Sequence, residues 1–170
     1  MEVPQPTGAS IPEGKELRIV LKYGQTVSIA VMNGMAQLWG WTLPISEEIF
    51  MSNRSFAIYA VQNTDVRITG TFSSCYVARS SPVKVINTLA SLKPGPKPVF
   101  LVTGAPSSGK TSFARWLSNL LLFDANNTGS KPIYVNCDPS EPLFAPTGCV
   151  GALPLSRPIT QDGFPFMDPL

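Results

Sequence analysis

A chain of 170 residues can form one ordinary domain or two small ones, and 44% apolar residues is typical of a protein with a folded core. The net charge is only +2 and no cluster of Lys and Arg stands out, so charge alone gives no argument for nucleic-acid binding. Histidine is absent, which leaves carboxylates, or positioning alone, for any acid–base chemistry.

Neither a membrane span nor a disulfide framework is expected. No apolar stretch approaches about 18 residues, and residues 1–6 lack the charged and apolar regions of a signal peptide. Cys75, Cys137 and Cys149 are odd in number and far apart, without a C-x-x-C pair. We therefore expect a soluble protein in a reducing compartment, with no membrane and no disulfide partner.

The first half of the chain is predicted to be all β. Short apolar runs alternate with polar residues, and Asn33-Gly34 between two such runs is a hairpin signal. The predicted strands cover residues 17–21, 27–31, 35–39, 48–51, 56–61 and 65–72. Short strands without intervening helices indicate a small β-sandwich or a partly open barrel. Trp39, Trp41 and Phe56 are expected in its core or at its rim.

A helix is predicted to follow this β segment. Ser81 can cap it, Pro82 suits its first turn, and apolar residues from Val83 onward fall on one face. The Pro/Gly run at residues 93–98 is the clearest boundary in the chain. We therefore divide the chain into a β-sandwich domain at 11–80, a helical linker at 81–97 and a third segment at 98–170.

The third segment is predicted to be the first part of an α/β domain. Its elements are a strand at 99–103, a glycine-rich loop, a helix at 111–123, a polar loop at 124–131 and a strand at 133–137. A right-handed crossover should make the two strands parallel in one sheet. Such a domain needs more parallel strands, yet the sequence after Asp138 is rich in proline, so we expect an incomplete sheet. We favour a fragment; the alternative is that the remaining strands come from elsewhere.

The loop of this segment matches the phosphate-binding pattern G-x-x-x-x-G-K-[ST]. The matching residues are Gly104, Ala105, Pro106, Ser107, Ser108, Gly109, Lys110 and Thr111. Such a loop turns backbone N–H groups toward a triphosphate, and the helix behind it presents its positive end. Lys110 would serve the β and γ phosphates and Thr111 would serve Mg²⁺, with Ser112 beside them. The pattern predicts binding of a nucleoside triphosphate; the alternative is a Gly/Ser-rich surface loop.

Asp138 is the candidate acidic residue of the site. It stands at the carboxyl end of the strand at 133–137, the edge where ligands bind in α/β sheets. It could act on Mg²⁺ or accept the proton of an attacking hydroxyl, in which case Lys110 and Asp138 are the catalytic residues. The alternative is a turn former, because Asp-Pro commonly opens turns.

Three stretches together resemble the polynucleotide 5′-hydroxyl kinase family, most of all its ATP-binding member in pre-mRNA cleavage and polyadenylation. They are the phosphate loop with Ser112, residues 134–142 and residues 146–152. The first half agrees at residues 11–17, 33–40 and 58–61. The resemblance implies an N-terminal β-sandwich followed by the first part of a P-loop NTPase domain with an incomplete parallel sheet. It also implies ATP and Mg²⁺ as cofactors, other cleavage-factor subunits as partners, RNA contacted indirectly or weakly, and a nuclear location.

The resemblance further implies a composite ATP site. In the family, an acidic residue from the first strand of the N-terminal domain reaches the adenine, and Glu16 holds that place here. The alternative is an exposed Glu on a strand edge. A basic residue that approaches the nucleotide in relatives falls near Ser55 in this sequence, where Arg54 is the candidate substitute.

Glu141 departs from the family pattern. In the active relatives Gln follows the Asp by three positions, whereas this chain has Asp138 and Glu141. The added negative charge could bind Mg²⁺ or repel phosphate. The Asp-Pro-x-x-Pro form at residues 138–142 is similar to the fungal type, for which the resemblance implies bound ATP without kinase activity.

Three hypotheses follow. The first is an ATP-holding subunit of the pre-mRNA 3′-end processing machinery, with a structural nucleotide. The second is an active 5′-hydroxyl kinase that phosphorylates RNA, including in tRNA or ribosomal RNA processing. The third is an unrelated phosphate-loop ATPase or GTPase, and the lack of an N-K-x-D segment argues against a GTPase.

Overall fold

The computed structural model describes residues 7–91, 98–128, 131–141 and 143–164. The chain divides into two compact units: one comprises the chain up to Leu38 with Thr42–Lys84, and the other comprises Trp39–Trp41 and the chain from Val85 onward. Residues 1–6, most of the boundary run at 93–98 and Pro142 lie outside the described residues. The domain bounds at 11–80, 81–97 and 98–170 stay a prediction.

The first unit is a sandwich of two antiparallel sheets. Its strands are β1 (Thr7–Ile11), β2 (Glu16–Val20), β3 (Thr26–Asn33), β4 (Ala36–Leu38), β5 (Trp41–Thr42), β6 (Glu48–Ser52), β7 (Ser55–Ala60), β8 (Thr64–Gly70) and β9 (Ser74–Ala78). One sheet has the order β1-β8-β3-β6 and the other β5-β4-β7-β2-β9. Their apolar side chains, among them Leu17, Ile29, Ile58 and Ile68, are almost fully buried and form the core.

Buried and exposed side chains alternate along most of the strands, which explains why these segments form a sandwich with one face of each sheet in the core. In β2, Leu17 and Ile19 are buried while Arg18 between them is half-buried, as expected when successive side chains point to opposite faces. The six predicted strands are confirmed, with shifts at their ends, as β2, β3, β4, β6, β7 and β8. The strands β1, β5 and β9 are not predicted, because buried and exposed side chains do not alternate regularly along them.

The Asn33-Gly34 turn does not form the predicted hairpin. β3 ends at Asn33 and β4 begins at Ala36, but these strands belong to different sheets. Gly34 has a φ of +84°, and a Cβ there would overlap the carbonyl oxygen of Asn63. Glycine therefore lets the chain cross between sheets against a neighbouring backbone. Local sequence does not distinguish such a crossing from a hairpin turn.

The predicted helix that follows Ser81 is confirmed as α1 (Val83–Ser91). The Ser81 hydroxyl oxygen accepts a hydrogen bond from the Val83 backbone N–H at 3.2 Å, so Ser81 caps the helix as expected. The same hydroxyl donates to Oε2 of Glu16 at 2.8 Å. One serine thus joins the start of α1 to strand β2.

The second unit contains α2 (Lys110–Thr128), β10 (Ile133–Asn136) and β11 (Gly151–Pro154). The helix and the strand at 133–137 are confirmed, although α2 continues past residue 123 into the predicted polar loop. β11 is not predicted, because the surrounding prolines favour irregular structure. Neither described helix has both the length and the apolar character that a membrane span requires.

The predicted parallel pairing of residues 99–103 with the strand at 133–137 is wrong for the described structure. Residues 98–104 form no strand, and Val99 and Leu101 are 90% and 83% exposed. β10 instead pairs antiparallel with β11, from Ile133 opposite Pro154 to Asn136 opposite Gly151. A strand needs a partner for its N–H and C=O groups, and the returning segment at 151–154 supplies it.

The second unit has its own core, and the unit includes Trp39, which is predicted from the sequence to lie in the β-sandwich. Its buried cluster contains Leu122, Tyr134, Leu153, Leu155, Ile159 and Phe164. Tyr134 packs against Phe164 edge to face with ring centroids 4.7 Å apart. Phe56 is buried in the sandwich as predicted, but Trp39 groups with the second unit, where the Arg115 guanidinium lies 5.1 Å from its ring centre.

Candidate functional site

The glycine-rich loop has the backbone shape of an anion-binding loop. Ser107 and Gly109 have φ values of +57° and +86°, so left-handed residues interrupt the loop just before α2 begins at Lys110. Alternation of this kind turns successive N–H groups inward. A Cβ at Gly104 would lie 3.0 Å from the Ser108 hydroxyl oxygen, which explains a glycine there. The loop and the helix N-terminus together suit a phosphate chain.

Lys110 lies over this loop. It is the first residue of α2, and its Nζ donates a hydrogen bond to the Ala105 carbonyl oxygen at 2.8 Å. The ammonium group therefore adds its charge to the positive end of the helix. Ser107, Ser108 and Ser112 are exposed around it. The structure brings these predicted nucleotide-binding residues together in one local segment.

Thr111 follows Lys110 and makes a contact that the sequence does not predict. Its hydroxyl donates a hydrogen bond to Oε2 of Glu141 at 2.7 Å. The contact joins the start of α2 to the loop after β10, 30 residues later. The loop that carries Asp138 and Glu141 therefore contacts the start of α2 through Glu141.

Asn136 shapes the loop that carries the two acidic residues. Its side chain is buried, and its Nδ2 donates to the backbone oxygens of Glu141 at 2.8 Å and Asp138 at 3.3 Å. Its Oδ1 accepts from the Asp138 N–H at 3.1 Å. The sequence does not predict Asn136 as a site residue, and it marks Glu141 only as a departure from the family pattern. A polar side chain ending an apolar strand directly before Cys-Asp-Pro is the signal that could identify Asn136.

Asp138 is exposed and held by a neighbour. Its Oδ1 accepts hydrogen bonds from the Ser140 hydroxyl at 2.6 Å and the Ser140 backbone N–H at 2.9 Å. These bonds, with the charge of Lys110, hold the pKa of the Asp138 carboxyl below its ordinary value. The hydrogen bonds to Ser140 are those of a turn, as the alternative interpretation expects. The Asp138 carboxylate also interacts electrostatically with Lys110 of the phosphate loop.

Ser140→Ala should raise the pKa of Asp138 toward the ordinary value, because it removes the hydroxyl that stabilises the carboxylate. In the wild type the charged form, and its bond to Ser140, persists at acidic pH and is lost only as pH falls through the lowered pKa. A carbon-13 NMR titration of the carboxyl group measures both pKa values. Equal values in the two proteins would contradict this assignment.

The residues of the second unit fit a magnesium–nucleotide. Mg²⁺ prefers oxygen ligands and keeps several waters, and the Thr111 hydroxyl and the Asp138 carboxylate are hard oxygen donors, with Glu141 bonded to the Thr111 hydroxyl. Within the described ranges, no group of three or more His, Cys, Asp or Glu side chains forms a metal site by itself. The donor set therefore suits a cation whose other ligands are phosphate oxygens and water.

Glu16 belongs to the first unit and is not the exposed edge residue of the alternative hypothesis. It begins β2, which lies between β7 and β9, and its side chain is buried. Its Oε1 pairs with Arg18 at 2.6 Å and its Oε2 accepts from Ser81. The bond to Glu16 also raises the pKa of the Arg18 guanidinium. Its predicted contact with adenine stays a prediction.

Two family models match this chain. A model described as the N-terminal beta-sandwich domain of polyadenylation factor matches residues 10–93. A second model, described as the P-loop of mRNA cleavage and polyadenylation factor CLP1, matches residues 104–170.

Individual relatives agree with these models. The mRNA cleavage and polyadenylation factor CLP1 of Saccharomyces cerevisiae is 32% identical, over 86% of this chain and 34% of its own length. The polyribonucleotide 5′-hydroxyl-kinase Clp1 of Macaca fascicularis is 27% identical, over 91% of this chain and 38% of its own length. The chain thus spans about a third of the length of these curated relatives.

Solved structures of Clp1p are similar in fold. One is wild-type Clp1p in complex with Pcf11p, with a TM-score of 0.77 and 26% identity over 90% of this chain and 37% of that chain. Another, from work on the extended Pcf11p–Clp1p interface and ATP loss in a glycine-to-arginine mutant, has a TM-score of 0.81 and 25% identity, covering 96% and 40%. With both of its halves matched by models of one polyadenylation factor, the chain belongs to the CLP1 family.

Proposed function

We propose that this chain binds ATP with Mg²⁺ and serves as the nucleotide-holding part of a factor in pre-mRNA 3′-end cleavage and polyadenylation. The observation that carries the proposal is the phosphate loop at 104–111, with left-handed Ser107 and Gly109 leading into a helix whose first residue is Lys110. Membership of the CLP1 family supports the processing role. In this proposal the nucleotide is structural and is not consumed.

Each predicted residue has a part in this binding. Backbone N–H groups from Gly104 to Gly109 would cradle the phosphates, and Lys110 would pair with their charge, with Ser112 nearby. Thr111 would hold Mg²⁺ with the acidic loop of Asp138 beside it. A magnesium ion held by these residues would supply positive charge that offsets the charge of the phosphates. Glu16 would contact the adenine.

Two features support a held rather than a transferred phosphate. The Ser140 hydroxyl and N–H lower the pKa of Asp138, which makes its carboxylate a weaker acceptor for the proton of an attacking hydroxyl. Glu141 adds a second negative charge next to Thr111, where a transferring phosphate would carry charge of the same sign. Both features work against phosphoryl transfer while leaving the binding loop intact.

The second candidate is an active polynucleotide 5′-hydroxyl kinase. It is favoured by the relative named for that activity, and by Asp138, which follows the carboxyl end of β10. There, Lys110 would stabilise the transferring charge and Asp138 would accept the hydroxyl proton, so catalysis would rest on positioning and electrostatics.

The cellular setting follows from the same proposal. Because Clp1p is found in complex with Pcf11p, another subunit of the cleavage and polyadenylation factor is the expected partner, in the nucleus. RNA would be contacted indirectly or weakly, since the net charge of the chain is small. No partner-binding residue is assigned.

A phosphate-transfer assay separates the two candidates. The full-length protein is incubated with γ-labelled ATP, Mg²⁺ and an RNA that carries a 5′-hydroxyl, and the RNA is examined for a labelled 5′-phosphate. We expect no labelled RNA from a protein that retains ATP. Labelled RNA that disappears in both Lys110→Ala and Asp138→Asn would instead establish the kinase.

A further inference from the structure

The proton of the Thr111 hydroxyl points toward one defined acceptor. It donates to Oε2 of Glu141 at 2.7 Å. A hydroxyl has one proton and two acceptor lone pairs, so this bond turns the lone pairs of Thr111 away from Glu141. The oxygen is therefore oriented as a ligand for a cation that lies on its other side.

The backbone of Glu141 is fixed by three hydrogen bonds. Its carbonyl oxygen accepts from the buried Asn136 amide at 2.8 Å and from the Leu143 N–H at 2.9 Å. Its N–H donates to the Asp138 carbonyl oxygen at 3.3 Å. The side chain is half-buried. Because its backbone is held this way, Glu141 presents its carboxylate to Thr111 in a defined geometry.

Asp138 is engaged elsewhere. Its Oδ1 accepts from the Ser140 hydroxyl at 2.6 Å and the Ser140 N–H at 2.9 Å. The Thr111 hydroxyl donates to Glu141 instead. The two carboxylates of the loop are therefore not equivalent, although the sequence motif favours Asp138.

We propose that Glu141, rather than Asp138, is the positioning residue that orients the Thr111 hydroxyl toward the Mg²⁺ of the bound nucleotide. The proposal rests on the proposed ATP-binding function and deepens it. Carboxylates that hydrogen-bond to a metal ligand fix its orientation and raise its affinity for the metal. Glu141 thereby strengthens the binding of the metal without contacting it. Its charge is compatible with a site that retains the nucleotide.

The test is a metal titration of the full-length protein. Mn²⁺ replaces Mg²⁺, since both favour oxygen ligands, and electron paramagnetic resonance follows free Mn²⁺ at saturating ATP. Glu141→Ala should weaken Mn²⁺ binding by the protein–ATP complex about tenfold. Glu141→Gln, whose amide oxygen can still accept the Thr111 proton, should recover binding to within about threefold of wild type. Asp162→Ala, which removes another acidic side chain of this unit, is the matched control.

A second measurement separates this role from loss of structure. ATP affinity in EDTA should stay within about twofold of wild type for Glu141→Ala, because the phosphate loop is unchanged. Equal losses with and without metal, or no recovery in Glu141→Gln, would each overturn the positioning role. A wild-type protein that binds no ATP would overturn the proposed function as well.

Discussion

Replacing Lys110 with alanine should lower the ATP affinity of the full-length protein about a hundredfold, as expected from losing charge-assisted bonds worth about 1.5–3 kcal/mol each. Lys110 begins α2, and its ammonium group lies over the phosphate loop. Its removal takes away a mobile positive charge while leaving the helix N-terminus in place. Equilibrium binding of a fluorescent ATP analogue, in the presence of Mg²⁺, measures the loss.

Lys131→Ala is the matched control for this prediction. Lys131 is an exposed lysine of the same unit, just before β10, so its removal changes net charge by the same amount. Its ATP affinity should stay close to that of wild type. An ATP affinity that Lys110→Ala leaves unchanged would mean that residues 104–111 are not the nucleotide site.

Replacing Asn119 with alanine should lower the free energy of unfolding of the second unit by about 4 kcal/mol, from several buried partners at about 1–3 kcal/mol each. The Asn119 amide donates to the carbonyl oxygens of Trp39 at 2.8 Å and Ile159 at 2.9 Å, and its oxygen accepts from the Ile159 N–H at 2.8 Å. Asn119 is 3% exposed. Its removal leaves these backbone groups without their partner in a region that water does not reach.

Urea unfolding followed by tryptophan fluorescence tests this loss, because Trp39, Trp41 and Trp116 all group with the second unit. Ser118→Ala, one residue earlier on α2, is the control and should change stability by less than about 0.5 kcal/mol. A change of similar size in both variants would show that Asn119 does not hold the Trp39 and Ile159 segments together.

The fold of the first unit is largely predictable because its strands are amphipathic. In β2 and β8 the buried residues Leu17, Ile19, Val66 and Ile68 alternate with more exposed ones, and this period is visible without a structure. The Asn33-Gly34 crossing is not predictable, since the need for glycine at position 34 comes from the backbone of Asn63, which is distant in sequence. Tertiary contacts decide that turn.

The second unit is predictable in its motif and less so in its sheet. The conformation of the phosphate loop follows from the sequence of residues 104–111 itself, because its glycines and the start of α2 are local features. The pairing of β10 with β11 depends on a return from residue 151, which a proline-rich sequence conceals. Likewise, the Thr111–Glu141 contact joins residues far apart in sequence, and no local pattern encodes it.

Structural retention of ATP is tested by measuring the nucleotide that the full-length protein carries. Wild type and Lys110→Ala are purified in parallel with Mg²⁺, denatured, and the released nucleotide is identified by chromatography and counted per protein. We expect intact ATP in wild type, near one per molecule, and little or none in Lys110→Ala. A wild-type protein that carries no nucleotide, and takes up none when incubated with ATP and Mg²⁺, would contradict this expectation.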